Sequence, residues 1–154
     1  MEIHNPYQVI EIERSDTVVK KSKLQLGAIG EQSFVVQPAH VIDFTDDGMP
    51  PVLATPWLIW FLEHAAREAV FPALEPGEST VGVRIEVEHL AATPLGQCVT
   101  CRAHIVQWHE RSVWFRLEAH DGQERIARGF HELRMIQVER FAQRMEIKMK
   151  KAGR

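Results

Sequence analysis

Between Ala54 and Pro72 the chain reads ATPWLIWFLEHAAREAVFP, and this stretch restricts the fold more than any other. Thr55 fits an N-cap and Pro56 the first helical position, where its missing N–H costs nothing. Leu58 stands where a capping-box glutamate would be, so the box is absent. Phe71-Pro72 ends the helix. With about 100° between successive residues, Trp60, His64, Arg67 and Glu68 share one polar stripe with Glu63 at its border. Leu58, Ile59, Phe61, Leu62, Ala65, Ala66, Ala69 and Val70 fill the rest of the circumference. A helix this apolar has to be wrapped on several sides.

The wrapping material follows directly. After the turn Glu75-Pro76-Gly77 the periodicity changes to two. Val81, Val83, Ile85 and Val87 share one face, with His89 next on it, and Arg84, Glu86 and Glu88 share the other. Ala92-Thr93-Pro94-Leu95-Gly96 breaks the chain. A second strand runs from Gln97 to about Trp108, with Val99, Cys101, Ala103 and Ile105 on one face. A third has Val113, Phe115, Leu117 and Ala119 inward, Asp121-Gly122 signals a hairpin, and a fourth covers about Glu124 to Gln137. One helix against one large antiparallel sheet is an α+β layer pair. A curved sheet wrapped around one central helix is the hotdog arrangement. Such a sheet leaves an edge strand bare, so a homodimer or a dimer of dimers is expected.

The flanks are less regular. Gln8 to Ile12, Thr17 to Leu26 and Gln32 to Val36 read as short strands, and Pro38 to Phe44 extends the last of them. Thr45 to Pro51 is a loop rich in breakers. From Val138 the sequence ERFAQRMEIKMKKAGR reads as a basic helical tail. At 154 residues the chain is expected to form a single domain, with 1–30 an N-terminal extension and 138–154 the basic tail.

Composition removes several function classes. A net charge of −3 and a pI near 6.2 leave no footprint for nucleic acid. The longest greasy run, Pro56 to Leu62, is too short to span a bilayer. The start, MEIHNPYQVIEIERSD, lacks the basic and apolar regions of a signal peptide, so a cytoplasmic protein is expected. Cys98 and Cys101 form a C-x-x-C, but on a strand residues three apart point to opposite faces. Without a second pair, zinc lacks ligands, and no metal or cofactor is expected.

Three residues carry chemistry. His89 ends a strand on the buried face, where a satisfied core histidine is the plain alternative. Glu63 has Arg67 at i+4, an ion pair that alone would explain it, worth about 0.3–0.5 kcal/mol. Thr55 has its capping role. Together, a hydroxyl, a carboxylate and an imidazole near the ends of packed elements are the parts of acyl-transfer chemistry. Thr55 and Glu63 are eight residues apart, ~12 Å of helical rise, so they do not touch within one rigid helix. Either His89 or a substrate lies between them, or one comes from a second subunit.

Thr55, Glu63 and His89 in the phrase VEHLAATPLG resemble the fluoroacetyl-CoA thioesterase family of hotdog proteins. The resemblance runs ungapped from about Thr55 to Gln137, through AHDG at Ala119 to Gly122 and GFHEL at Gly129 to Leu133. It implies hydrolysis of a short or medium acyl-CoA, CoA entering as part of the substrate. It implies Thr55 as nucleophile or water-positioning hydroxyl, His89 as general base and acid, and Glu63 as the orienting group. It also implies a homodimer with substrate near the subunit interface. Two departures bear on the acyl group: Leu133 stands where the fluoroacetate-handling member carries arginine, and the loop DDGMPPVLA lacks that member's lid phenylalanines.

The first helix offers its N-terminal N–H groups and positive dipole end to a thioester oxyanion. Lys148, Lys150, Lys151 and Arg154 are available to CoA phosphates, although a solvated tail is the favoured account of them. A non-catalytic acyl-CoA-binding or ligand-sensing module is the alternative, distinguished by saturable binding without turnover. A hotdog dehydratase or hydratase needs its own His-plus-carboxylate signature, which this sequence lacks.

Overall fold

The computed structural model describes residues 23–153. Five strands form one antiparallel sheet: β1 (Ile29–Val35), β2 (Glu78–His89), β3 (Cys98–His109), β4 (Ser112–His120) and β5 (Arg125–Gln137). Their order across the sheet is β1-β3-β4-β5-β2. Helix α1 (Thr55–Val70) lies on one face and packs mainly over β1 and β3. Helix α2 (Val138–Ala152) continues from β5 and touches little else. This is the helix-in-sheet arrangement that the sequence predicts.

The core forms where the two periodicities meet. Leu58, Leu62, Ala65, Ala66 and Val70 of α1 are fully covered, opposite Val99, Cys101 and Ala103 of β3 and Val113, Phe115 and Leu117 of β4. Burying a leucine of this kind contributes about 1.5–3 kcal/mol. The closest approach is at Gly30 of β1, where a Cβ would lie 1.9 Å from the Ala65 carbonyl oxygen and 2.5 Å from the Ala69 nitrogen. Only a residue without a side chain lets helix and strand meet there. Stacked Phe34 and Phe61, 3.5 Å between centroids, fill the space beside it, with His40 edge-on to both.

The structure corrects four local expectations. Gln8 to Ile12 and residues 17–22 lie outside the described residues, and Lys23 to Leu26 form no strand. Pro38 to Phe44 does not extend β1; Pro38–His40 is a short 3-10 turn, followed by a single bridge between Val41 and Leu53. α1 starts at Thr55 itself, so Ala54 is its N-cap and the Thr55 side chain caps nothing.

The fourth correction concerns β2. Its register against β5 slips between Gly82 and Arg84, with Gly82 opposite Leu133 and Arg84 opposite Glu132. The bulged residue is Val83, which is 48% exposed. One extra residue exchanges the two faces of a strand. Before the bulge, Thr80 and Gly82 therefore face inward in place of Val81 and Val83; beyond it, Ile85, Val87 and His89 face inward as predicted. In β3, Cys101 is buried and Cys98 exposed, as alternation requires, and burial pushes the Cys101 thiol up to about 12.

Candidate active site

The breaker after β2 decides where Thr55 goes. The Leu53 N–H donates to the Thr93 carbonyl at 2.8 Å and the Leu95 N–H to the Pro51 carbonyl at 3.1 Å. Val52 bridges Pro94. Ala54 N–H reaches back to the His40 carbonyl at 2.9 Å. These bonds stitch the segment entering α1 to the segment leaving β2. The first residue of the helix thereby lands beside the last residue of the strand, and Thr55 Oγ1 lies 2.8 Å from His89 Nδ1.

The state of the imidazole follows from its surroundings. Burial holds His89 below its ordinary value, partly opposed by the Ala91 backbone, so the ring is neutral near pH 7. A neutral ring that accepts the Thr55 hydroxyl proton at Nδ1 carries its own proton on Nε2. That nitrogen is buried and has no hydrogen-bond partner among the described residues. In that tautomer Thr55 and His89 form a hydroxyl–base pair, and the Nε2–H behind the base has no acceptor among the described residues.

Glu63 is elsewhere. Its carboxylate rests on β2 at Gly82, where a Cβ would come within 3.2 Å of Oε1. Arg67, its i+4 neighbour, instead donates to the Thr80 carbonyl at 3.1 Å and to Thr80 Oγ1 at 3.0 Å. The local ion pair that would have explained Glu63 is therefore not formed. The separation from His89 is large: His89 pairs with Ala127, whereas Gly82, on which Glu63 rests, pairs with Leu133, six residues or about 20 Å along β5. One chain brings Thr55 and His89 together and leaves Glu63 apart.

His131 was not singled out by the sequence. It lies on the inward face of β5, is 3% exposed, and donates from Nδ1 to the Arg84 carbonyl at 2.8 Å. Its Nε2 is buried and has no hydrogen-bond partner among the described residues. Burial lowers its affinity for a proton, and the nearby charge of Glu63 works in the other direction. The clue in the sequence was the alternation of His131, Leu133 and Met135, which places the imidazole on the covered face.

At the head of α1, Pro56 has no N–H, and Trp57 and Leu58 both turn back to the Ala54 carbonyl at 3.1 and 3.2 Å. The helix end therefore offers an oxyanion the Thr55 N–H, fewer donors than the sequence reading expects. The concave surface of the outer sheet face, lined by Arg84, Glu86, Trp114, Arg116, Phe130 and Glu132, lies on the opposite side of the sheet from this pair. Among the described residues no cluster of His, Cys, Asp or Glu could hold a metal ion. No helix among them is long and apolar enough to cross a membrane.

Residues 36–139 match the family described as fluoroacetyl-CoA-specific thioesterase. The fluoroacetyl-CoA thioesterase of Streptantibioticus cattleyicolor is 35% identical over 129 residues, covering 79% of this chain and 91% of that protein. The solved structure of the fluoroacetyl-CoA thioesterase FlK superposes with a TM-score of 0.75 at 34% identity, over 80% of this chain and 96% of that one. A thioesterase superfamily member from Thermus thermophilus gives 0.76 at 27% identity, over 85% and 98%.

Proposed function

The chain belongs to the fluoroacetyl-CoA-specific thioesterase family, and from that membership we propose that it hydrolyses a short or medium acyl-CoA to the free acid and CoA. The observation that carries the reading is the Thr55–His89 bond at 2.8 Å, held beside a buried Nε2 that has no partner among the described residues. Neutral His89 draws the proton from the Thr55 hydroxyl, or from a water that this hydroxyl holds, as the oxygen attacks the thioester carbonyl. The Thr55 N–H, at the positive end of α1, takes the developing oxyanion. His89 then returns the proton to the departing CoA sulfur. Where Thr55 is the nucleophile this leaves an acyl-Thr55 ester, which a water deprotonated by His89 then cleaves with return of the Thr55 hydroxyl; by either route one water is consumed and one acid and one thiol are released.

Glu63 completes the set from a second copy. β2 is an edge strand of the sheet and carries both His89 and Gly82. Pairing it antiparallel with the β2 of a second copy, about a two-fold near Ile85 and Glu86, sets His89 within a residue of the copy's Gly82. The carboxylate resting on that glycine then lies where the Nε2–H of His89 needs an acceptor. A homodimer built this way has two sites, each Thr55–His89 from one chain and Glu63 from the other.

Release of CoA from a panel of acyl-CoAs tests the activity, and saturable binding without turnover in every case would select the binding-module reading. Mixed dimers test the shared site. His89→Ala homodimers are expected to be inactive, and Glu63→Gln homodimers to keep only a small residual rate. Mixing and refolding them should restore about one quarter of the wild-type rate, because half the dimers are mixed and each has one intact site. No recovery in proven mixed dimers removes Glu63 from the second chain's site.

A further inference from the structure

Helix α2 takes no part in the reaction as described. It continues from β5 and packs chiefly against that strand. Its 15 residues are strongly two-sided. With about 100° between successive residues, Val138, Phe141, Ala142, Met145, Met149 and Ala152 gather on one apolar arc. Arg140, Arg144, Lys148 and Lys151 form a row along one border of that arc, and Glu139 and Glu146 stand on the other border. The arc lies open: Val138, Phe141 and Met149 are 47%, 38% and 66% exposed, and Met145 is half-buried. Among the described residues, none of the four cations in the row forms an ion pair. Charge is also unevenly shared. Five of the chain's 18 Lys and Arg but two of its 21 Asp and Glu fall in α2, so the helix carries +3 on a chain that is otherwise −6.

We propose that α2 is a reversible docking helix for an anionic lipid surface, with Phe141 and Met149 entering the boundary of the acyl chains and the row from Arg140 to Lys151 meeting the headgroup phosphates. The proposal goes beyond the thioesterase reading and does not depend on it. Charge complementarity selects this occupant. A helix with an apolar arc, a strongly charged remainder and low overall hydrophobicity lies in the plane of a bilayer interface. At about 1.5 Å of rise per residue, α2 is roughly 22 Å long, too short to span and long enough to lie flat. Lys and Arg beside an apolar arc run their methylene stems along it and raise their charged heads to the phosphates. The rest of the chain, at −6, is repelled by the same surface, so the attraction is α2's own. A second copy of α2 is a poorer occupant. Fifteen residues give about two heptads, fewer than the three or four that mark a coiled coil.

Sedimentation of the full chain with lipid vesicles tests this. At about 0.1 M salt the protein should pellet with phosphatidylcholine vesicles that contain phosphatidylglycerol, and stay in the supernatant with phosphatidylcholine alone. Raising the salt to about 1 M shortens the Debye length from about 10 Å to about 3 Å, which should weaken binding at least ten-fold. Variants of exposed α2 residues then separate the row from the arc, with folding checked by thermal unfolding. Lys148→Gln with Lys151→Gln should lose at least ten-fold in vesicle affinity, and so should Phe141→Ser with Met149→Ser. Glu139→Gln with Glu146→Gln removes negative charge from the same helix and should bind at least as tightly as wild type. Failure to pellet with the anionic vesicles overturns the proposal; that is the result if another segment of the full chain covers the arc, or if its partner is an acidic protein. Equal pelleting with both lipid compositions, or undiminished binding by the lysine variant, overturns it as well. Absence of turnover on every acyl-CoA, with anionic vesicles bound as stated, defeats the thioesterase reading and leaves the docking helix standing.

Discussion

Thr55 Oγ1 lies 2.8 Å from His89 Nδ1, joining the first residue of α1 to the last residue of β2. Helix capping uses a side chain one residue earlier in the chain, and that position is Ala54. The hydroxyl is therefore available for chemistry, and the imidazole it meets is neutral near pH 7 because the site desolvates it.

Thr55→Ala should lower kcat/KM about 100-fold or more while moving Tm by only a few degrees. A capping role predicts the opposite balance, about 1 kcal/mol of stability lost and no specific loss of rate. Thr55→Ser, which keeps the hydroxyl, should retain most of the rate. Steady-state kinetics beside thermal unfolding decides between them.

The pH dependence of kcat/KM should show an acid limb, because the reaction needs neutral His89. Burial lowers the His89 value, so in the free chain the limb lies below the ordinary histidine value of about 6.5. If the second copy's Glu63 carboxylate faces His89, it stabilises the imidazolium and raises the limb. Glu63→Gln should then shift whatever activity remains to a lower limb. A limb that moves upward in that variant contradicts the assignment.

Gly82→Ala should cost rate and spare the fold. The added Cβ would press on Glu63 Oε1 from 3.2 Å, and a carboxylate at the end of a flexible side chain can yield by a few tenths of an ångström. The predicted result is a Tm within a few degrees of wild type and a kcat reduced several-fold, since misplacing an orienting group is costly in rate.

Gly30→Ala should do the reverse. Its Cβ would meet the Ala65 carbonyl oxygen at 1.9 Å, and backbone cannot yield without separating α1 from β1. A loss of about 2–4 kcal/mol is expected, seen as a lower urea midpoint.

Stability should fall on acidification earlier than surface carboxylates alone would cause. His89 and His131 both have folded values lowered by burial, while in the unfolded chain they titrate near 6.5. Below about pH 6.5 the unfolded state binds protons that the folded state refuses, so the stabilisation is full above that point and is lost as pH falls toward the folded values. Comparing urea midpoints at about pH 7.5 and pH 5, in wild type and in His131→Gln, measures the share due to His131.

Much of this was legible before any coordinates. The inward sets Val113, Phe115, Leu117, Ala119 and Val99, Cys101, Ala103, Ile105 are all buried as alternation predicts. The apolar circumference of α1 correctly called for a wrapping sheet. The face of β2 before Val83 was not legible, because a bulge is a single extra residue and leaves no mark on a period-two pattern. His131 escaped notice because alternation can place it on the covered face but cannot show what it meets there: the Arg84 carbonyl to which its Nδ1 donates is 47 residues earlier in the chain.

The sequence by itself determined the elements and the chemical parts. Local periodicity and turn residues act over a few positions, and they suffice to make one apolar helix, a run of antiparallel strands, and Thr55, Glu63 and His89 at the positions they occupy. Which of those parts meet was decided by tertiary structure alone. The bonds from Leu53 to Thr93 and from Leu95 to Pro51 bring the start of α1 to the end of β2, and so give Thr55 to His89. The rigid rise of the same helix then carries Glu63 to Gly82 and His131, out of reach of the base in its own chain.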